Sequence, residues 1–225
     1  MTRAAIYLQL GRVSNLPTVW TNVLAGAALA GGALRPARVA LLLGALSLVY
    51  IAGMFLNDAF DRRFDAIHRP ERPIARGLIT PLEVFAVGFA LLAAGTAMLA
   101  ACGPAAWSGL ALAAAVVAYD AWHKSNPLSP ALMALCRALV YVTAALGTRG
   151  QVGLAVVAGA ALAFGYILAL TAWAKRGRGG VAHWIAGICL VDGGLMLSAG
   201  APLLALAGLA GSVATLRLQR RIPGT

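Results

Sequence analysis

Acidic residues gather in one short segment, residues 57 to 73, which reads NDAFDRRFDAIHRPERP and holds four of the seven Asp and Glu residues of the chain. Asn57, Asp61 and Asp65 are spaced four residues apart, and Asp58 precedes Asp61 by three. On a continuing helix these four side chains fall within an arc of about 100°, so their oxygen atoms converge on one side. Carboxylates this close repel one another unless a cation binds or protons are taken up.

Hard oxygen atoms in such a set suit Mg²⁺, which keeps several waters and usually bridges to phosphate oxygens. Nearby arginines can meet the remaining phosphate charge with forked hydrogen bonds; they are Arg62, Arg63, Arg69, Arg72 and Arg76. The pattern predicts a site for a magnesium–diphosphate group. The alternative is a solvated helix face with ion pairs such as Asp58–Arg62, which does not explain why most acidic residues lie here.

The composition indicates where this segment must lie. Hydrophobic residues make up 61% of the 225 residues and charged residues only 11%, which is too apolar for a soluble domain. Apolar runs of roughly 17 to 22 residues recur, and each can cross a hydrocarbon core about 30 Å thick as a helix. The runs are continuous rather than alternating, which argues against a membrane barrel.

We therefore predict an all-α fold, a polytopic transmembrane helical bundle that forms a single membrane domain over residues 1–225. About eight helices are expected. Their predicted ranges are 17–34, 37–56, 80–101, 104–121, 128–147, 152–173, 181–199 and 201–217. Glycines such as Gly26, Gly31 and Gly32 are expected to let helices pack closely.

Positive charge is divided unevenly between the two sides of such a bundle. One side holds both termini, three longer connections at about 57–79, 120–127 and 174–180, and 14 of the 18 Lys and Arg residues. The other side holds only Arg35, Arg38 and Arg149. This asymmetry predicts an integral protein of a bacterial-type inner (plasma) membrane, with both termini and the three connections cytoplasmic. A nucleic-acid partner is not expected, because the arginines lie between apolar runs.

Four stretches together resemble one known family. NDAFDRRFD resembles the first aspartate-rich motif, N-D-x-x-D-x-x-x-D, of the UbiA-type intramembrane aromatic prenyltransferases, and HRPERPIARGLIT is similar to its continuation. GRVSNLPTVWTNVLAGA is similar to the opening helix of that family, with Arg12, Asn15 and Pro17 in the expected places. YDAWHKSNPLSP resembles the loop after the fourth helix, where a Tyr and a Lys attend the diphosphate, here Tyr119 and Lys124.

The resemblance implies a UbiA-like bundle that moves a prenyl group from an isoprenyl diphosphate to a lipophilic acceptor, usually an aromatic one, with Mg²⁺ as cofactor and membrane lipid around it. Metal ligands would be Asn57, Asp58, Asp61 and Asp65, and catalytic residues Asp61, Asp65, Tyr119 and Lys124. Together with the charge pattern, it predicts substrate contacts from Arg12, Asn15, Arg63, Arg72, Arg137, Lys175, Arg176 and Arg178. Nothing in the sequence predicts the oligomeric state.

One departure from the family pattern leaves the function open. A second aspartate-rich motif usually follows the sixth helix, but this chain has TAWAKRGRGG there. Eight helices in place of nine also look like the divergent EboC-like branch. Either the three basic residues of this loop neutralise the diphosphate in place of a second Mg²⁺, or the protein is a non-catalytic binder or transport partner of a polyprenyl-phosphate lipid. An ion-coupled transporter has weaker support, since only Asp192 lies near mid-membrane.

Two charged residues are predicted inside the membrane, Arg137 and Asp192. They form a structural pair, or Arg137 lies on the cavity wall near the phosphate while Asp192 polarises an acceptor or a water. His68 and His123 fall in predicted cytoplasmic connections, where His68 is expected to be solvated.

Overall fold

The computed structural model describes residues 2–124, 126–177 and 179–224. In this part of the chain ten α-helices and one short 3₁₀ turn, Val13–Asn15, form the fold, without strands. The helices are α1 Arg3–Leu10, α2 Leu16–Leu29, α3 Pro36–Phe60, α4 Arg62–His68, α5 Pro81–Ala100, α6 Ala105–Trp122, α7 Ser129–Arg149, α8 Leu154–Lys175, α9 Val181–Ser198 and α10 Pro202–Gln219.

Seven of these helices are long and apolar enough to cross a bilayer, namely α3 and α5 to α10. The eighth apolar helix, α2, has only 14 residues and packs against α3, α7, α9 and α10. All eight predicted helices are thus present, and the all-α membrane fold is confirmed. The chain is an integral membrane protein.

Proline and glycine set many of the helix ends. Five helices, including α3 and α5, begin with a proline in their first turn, where the missing N–H group costs no hydrogen bond. The predicted range 17–34 was too long, because Gly31 and Gly32 adopt φ values of 74° and 77°, outside the helical region. These two glycines therefore end α2 rather than pack one helix against another.

The eight apolar helices form a closed ring in the order α2, α3, α5, α6, α7, α8, α9, α10, and α2 also contacts α7 across the middle. Glycines allow the closest approaches, as the sequence predicted for Gly26. A Cβ atom on Gly26 would lie 2.7 Å from the backbone oxygen of Tyr141, and one on Gly95 would lie 2.8 Å from that of Ala45. Helix pairs α2–α7 and α3–α5 thus depend on the missing side chains.

Two parts of the fold near residue 57 differ from the prediction. The expected connection 57–79 is helical as far as His68, because α3 continues to Phe60 and α4 follows directly. The segment before α2 also forms a helix, α1, which was not predicted. Ile6 and Leu10 of α1 are buried against Phe55 and neighbouring residues. This contact fixes the segment that leads to Arg12 beside the end of α3.

Candidate functional site

The predicted line of polar residues is preserved across the junction of α3 and α4. The backbone N–H of Asp61 donates to the carbonyl of Asn57 at 2.9 Å, and that of Asp65 to the carbonyl of Asp61 at 2.9 Å. The helical register therefore continues through Asp61, as the spacing of four required. All four predicted metal ligands are buried, with exposed fractions between 2% for Asp65 and 8% for Asn57.

Asp58 is held by two arginines from distant parts of the chain. Arg12 donates from Nη2 to Asp58 Oδ1 at 2.9 Å and reaches Asn57 Oδ1 at 3.4 Å. Arg72 donates from Nη1 to the same oxygen of Asp58. Burial lowers the pKa of Arg72, with a further lowering from the charge of Arg12, although Asp58 and Asp65 oppose it. Arg12 and Arg72 thus compensate the charge of Asp58, and their predicted contact with substrate stays a prediction.

The backbone of Arg12 adopts a left-handed conformation, with φ at 41°, and it is the only non-glycine residue with positive φ among residues 2–124, 126–177 and 179–224. Such a conformation costs on the order of 1–3 kcal/mol and persists only where surrounding contacts enforce it. Here the ion pair with Asp58 and the packing of α1 supply those contacts.

Asp61 is paired with the segment that follows α6. Lys124 Nζ lies 3.0 Å and His123 Nε2 lies 3.3 Å from Asp61 Oδ2. Burial by itself raises the pKa of Asp61, but the hydrogen bonds and charges of His123 and Lys124 outweigh burial, and the pKa falls below its ordinary value. Lys124 also lies 3.8 Å from the centre of the Phe64 ring. The predicted catalytic pair Asp61 and Lys124 is therefore in contact.

Two buried carboxylates keep an oxygen atom without a partner in the described part of the chain, Asp65 Oδ1 and Asp120 Oδ2. Burial raises the pKa of Asp65, the charge of Arg72 opposes this, and the nearby charges of Asp61 and Asp58 add to it. Asp120 Oδ1 accepts from Asn57 Nδ2 at 3.2 Å. A buried oxygen left unpaired costs about 1–3 kcal/mol, so these two atoms are suited to a ligand.

Asp120 was missed by the sequence prediction. It lies in the last turn of α6, is 3% exposed, and joins Asn57, Asp58, Asp61 and Asp65 in what we call the carboxylate cluster. Its position inside YDAWHK, between the predicted Tyr119 and Lys124, could have drawn attention to it.

The donor atoms of the carboxylate cluster fit Mg²⁺ that is shared with a phosphate group. Within residues 2–124, 126–177 and 179–224, no three His, Cys, Asp or Glu side chains lie close enough to enclose an ion by themselves. Mg²⁺ is usually held by one or two carboxylates together with substrate phosphates and water, so a closed protein cage is not required. The free oxygens of Asp65 and Asp120 are donors of the required kind.

An apolar cavity of about 90 Å³ begins at this cluster and runs between α2, α3, α6 and α7. Tyr119 and Asp120 line it at the cluster end, and Tyr50 and Arg137 are the other polar groups on its wall. The remaining lining is aliphatic or sulfur-containing, apart from Gly53; it includes Val19, Leu46, Val49, Met54, Leu112, Val116, Met133 and Cys136. An apolar lining with polar groups at one end is suited to an apolar ligand that carries a polar head group.

Arg137 and Asp192 both lie in one mid-membrane network, but Asn22 separates them. Arg137 donates to Asn22 Oδ1 at 2.8 Å and to Thr18 Oγ1 at 2.9 Å. Asn22 Nδ2 in turn donates to both oxygens of Asp192, at 2.9 and 2.8 Å. Within the described residues the direct ion pair that the sequence allowed does not form, and Arg137 lies on the cavity wall.

Four further predicted substrate residues make other contacts or are exposed. Asn15 is buried, accepts from Gln219 Nε2 at 2.7 Å and donates to the Gly224 carbonyl at 3.0 Å. Lys175 donates to Ser129 Oγ at 2.7 Å. Arg63 and Arg176 are exposed. Arg178 lies outside the described residues, so its predicted role stays a prediction.

The solvated position expected for His68 fits its exposure, whereas His123 is largely covered. The side chain of His123 is 13% exposed and lies between Asp61 and the backbone carbonyl of Asp120, which its Nδ1 approaches to 3.3 Å. Its ring also stacks on Tyr119, with 4.9 Å between ring centres.

Comparison with known proteins relates this architecture to one family. The digeranylgeranylglyceryl phosphate synthase of Natronomonas pharaonis is 33% identical over 162 residues, which cover 70% of this chain and 57% of that protein. A solved structure of a digeranylgeranylglyceryl phosphate synthase superposes with a TM-score of 0.69 at 17% identity, over 99% of this chain and 89% of that one. A UbiA homologue from Archaeoglobus fulgidus bound to DMAPP and Mg²⁺ gives a TM-score of 0.63 at 17% identity, over 97% and 88%.

The chain thus spans little more than half the length of its Natronomonas relative. These similarities do not bear on the EboC-like branch, which stays a prediction. The model of the UbiA prenyltransferase family matches residues 18–178, a range that contains the carboxylate cluster and most of the ring of helices. With this match over most of its length and the first aspartate-rich motif intact and buried, the chain belongs to the UbiA prenyltransferase family.

Proposed function

We propose that this protein transfers a prenyl group from an isoprenyl diphosphate to a lipophilic acceptor. The observation that carries the proposal is the carboxylate cluster, which keeps two unpartnered buried oxygens among the described residues and whose Asp120 lines the polar end of an apolar cavity. The Archaeoglobus fulgidus homologue of the same fold, bound to DMAPP and Mg²⁺, supports it.

The diphosphate would lie between the carboxylate cluster and its basic neighbours. Asp65 and Asp120, with Asn57 and Asp61, would hold Mg²⁺, which when bound neutralises the diphosphate charge. Lys124, which pairs with Asp61, would also contact the phosphate oxygens. Arg12 and Arg72 would add forked hydrogen bonds to the same group. Tyr119 lines the cavity beside Asp120 and would fix the head group at the mouth.

Catalysis would break the bond between the allylic carbon and the diphosphate oxygen, with the bonding electrons leaving on the diphosphate. The positive groups fixed around the cluster would stabilise the negative charge that develops on this oxygen. The apolar wall of the cavity excludes water, which would otherwise capture the allylic cation. The acceptor then forms the new bond to that carbon and loses a proton. The name of the Natronomonas relative makes a glyceryl phosphate lipid the first acceptor to test.

Asp120 would partly take the place of the missing second aspartate-rich motif. Lys175 donates to Ser129, and within the described part of the chain no contact of Lys175 or Arg176 with the cluster supports a role in neutralising the diphosphate. Asp120 adds a buried carboxylate from a different helix, so we propose that it supplies part of the lost metal-binding capacity.

A non-catalytic binder of a polyprenyl-phosphate lipid is the second candidate. The observation that favours it is the double ion pair of Asp58 with Arg12 and Arg72, which leaves fewer negative charges for metal ions. Both candidates use one membrane domain whose termini and cluster lie on the cytoplasmic side, as the charge asymmetry supports.

Titration calorimetry of the purified protein with a farnesyl thiodiphosphate analogue, with and without Mg²⁺, tests the proposal. We expect binding that requires Mg²⁺ and is lost in an Asp61→Asn, Asp65→Asn double variant. Glu71→Gln is the matched control, because Glu71 is exposed and lies in the same segment. Turnover is then followed with radiolabelled geranyl diphosphate and a glyceryl phosphate lipid. Binding that does not require Mg²⁺ and is not followed by turnover would contradict the enzyme proposal and favour the non-catalytic lipid-phosphate binder.

A further inference from the structure

A polar cavity lies at the opposite end of the bundle from the carboxylate cluster. The face formed by residues 30–35, 101–104, 150–153 and 199–201, here called the short-loop face, contains a cavity of about 420 Å³. Arg35, Arg38 and Arg149 all line it, together with Gly103 and Thr148. No Asp or Glu residue occurs in the four connections of this face.

The three arginines around this cavity have no acidic counterpart. Among residues 2–124, 126–177 and 179–224, none of the three takes part in a salt bridge. Arg38 donates from Nη1 only to the Ala101 carbonyl, at 3.4 Å. Each arginine alone is an ordinary residue at a membrane interface, but three like charges around one cavity focus a positive potential in it.

The backbone around the cavity is shaped to hold one of these guanidinium groups. Gly32 lies directly against Arg149, and a Cβ atom at position 32 would be 2.6 Å from Nη1 and 2.7 Å from Cζ of Arg149. Because Gly32 also has a φ of 77°, a side chain there would be strained as well as obstructed. The guanidinium group of Arg149 thus packs against the backbone of Gly32 at the rim of the cavity.

Helix ends of both signs border the cavity. Arg35 and Pro104 directly precede the N-terminal ends of α3 and α6, while Cys102 follows the C-terminal end of α5 and Arg149 ends α7. Their opposite partial charges offset one another, so the positive potential comes from the three guanidinium groups. Guanidinium groups bind phosphate oxygens through paired hydrogen bonds, which selects a phosphate over a simple halide ion.

We propose that Arg35, Arg38 and Arg149 form a binding site for a phosphate group on the short-loop face. The helices that frame it, α3, α5, α6 and α7, are each long and apolar enough to cross a bilayer, so we infer that the cavity opens among lipid head groups. A phosphate ester of an anionic lipid and free phosphate share this chemistry. The site is separate from the carboxylate cluster and does not depend on the proposed transferase activity.

Calorimetry of the purified full chain in a nonionic detergent tests the proposal with dioctanoyl phosphatidylglycerol as probe. We expect saturable binding, at least tenfold tighter than binding of zwitterionic dioctanoyl phosphatidylcholine. An Arg35→Gln, Arg149→Gln variant should lose at least tenfold in affinity. The matched control Arg217→Gln, Arg220→Gln removes the same charge from exposed positions near the end of α10 and should bind as the unmodified protein does.

Equal affinity of the double variant and the unmodified protein, or an equal loss in the matched control, would overturn the proposal. Displacement of the lipid by millimolar inorganic phosphate would assign the site to free phosphate, and failure to displace it would assign the site to the lipid. If the double variant melts early, Arg35→Gln alone decides, because Arg35 is exposed and its replacement disturbs no packing. Unchanged binding in that variant would also overturn the proposal.

Discussion

The carboxylate cluster and the mid-membrane Asp192 are both buried acidic sites, but they differ in how far their oxygen atoms are satisfied. Asp192 accepts from Thr21 Oγ1 at 2.5 Å, from Asn22 and from the Tyr141 hydroxyl, so both of its oxygens are paired. Asp65 and Asp120 each keep one buried oxygen without a partner in the described residues. A saturated network stabilises the packing of its helices, whereas unpaired oxygens are available to a ligand.

The two acidic sites also differ in which side chains supply their hydrogen-bond and ion-pair partners. The donors to Asp192 lie on α2 and α7, so the network ties the inner helices of the ring to α9. In the carboxylate cluster, Asp58 contacts two arginines, Asp61 a lysine and a histidine, and Asp120 contacts Asn57, while buried oxygens of Asp65 and Asp120 have no partner in the described residues. We therefore predict that the cluster acts in function and that Asp192 acts in stability.

The largest effect is expected from Asp65→Asn and from Asp120→Asn. Each removes a free oxygen charge from the cluster, so prenyl transfer should fall by about 10²–10³. The melting temperature should not decrease, because a buried, unpaired charge is removed. Turnover of radiolabelled diphosphate and thermal melting of the same preparations check this. A variant that melts early but turns over normally would reverse the comparison.

Asp192→Ala should act on stability instead. It leaves the Asn22 amide and the Tyr141 hydroxyl without their acceptor, while Thr21 keeps the Thr18 carbonyl, and each unsatisfied buried group costs on the order of 1–3 kcal/mol. We expect a clearly lower melting temperature with most of the turnover per folded molecule retained. Glu71→Gln serves as control. Loss of turnover at an unchanged melting temperature would give Asp192 a place in the chemistry.

Arg72 and Arg63 sharpen the comparison inside the cluster, since the sequence predicted a substrate contact for both. Arg72→Gln breaks the contact with Asp58 and should weaken binding of the diphosphate analogue about tenfold, the size of one charge-assisted hydrogen bond. Exposed Arg63 is its matched control, and Arg63→Gln should bind almost as the unmodified protein does. Equal losses would extend the substrate site to the outer face of α4.

The smallest effect concerns pH, because Asp61 and Asp65 shift in opposite directions. The pKa of Asp65 is raised by burial, so the folded protein gains stability as pH falls from neutral and Asp65 takes up its proton above its ordinary value of 3.8. Because the pKa of Asp61 is lowered, its carboxylate stays charged and keeps its ion pairs over this range. The stability that these pairs contribute is lost as pH falls below the ordinary value of 3.8.

Melting curves between pH 7 and pH 4.5 without Mg²⁺ measure this difference. The unmodified protein should gain more stability over this interval than Asp65→Asn, while Mg²⁺-dependent binding of the diphosphate analogue weakens. An identical pH profile in the two proteins would show that Asp65 does not titrate there.

Much of the fold could be predicted because it depends on local sequence pattern. The eight apolar runs and their proline and glycine boundaries involve neighbouring residues only. Even the end of α2, which the predicted range 17–34 placed too late, is marked in the sequence by Gly31 and Gly32. The short helix α1 was not, because eight residues with two buried side chains carry too little periodicity. Its burial against Phe55 is a tertiary contact.

The candidate site divides in the same way. The spacing of Asn57, Asp61 and Asp65 determined by itself that their oxygens share one face of a helix, since a helix repeats every 3.6 residues. Which of those oxygens remain free was decided only by tertiary structure. Arg12 reaches Asp58 across 46 positions and Asp120 joins Asn57 across 63, contacts that no local pattern specifies.

The same distinction separates the acidic residues that a sequence cannot tell apart. The sequence determined that the chain spans the membrane as a helical bundle and that four of its acids lie in one segment, because hydrophobicity and spacing are local properties. Only the packing of α2, α7 and α9 decided that Asp192 is saturated, and only the approach of α6 to α3 added Asp120 to the cluster. Hydrogen-bond partners from distant helices are supplied by the fold as a whole.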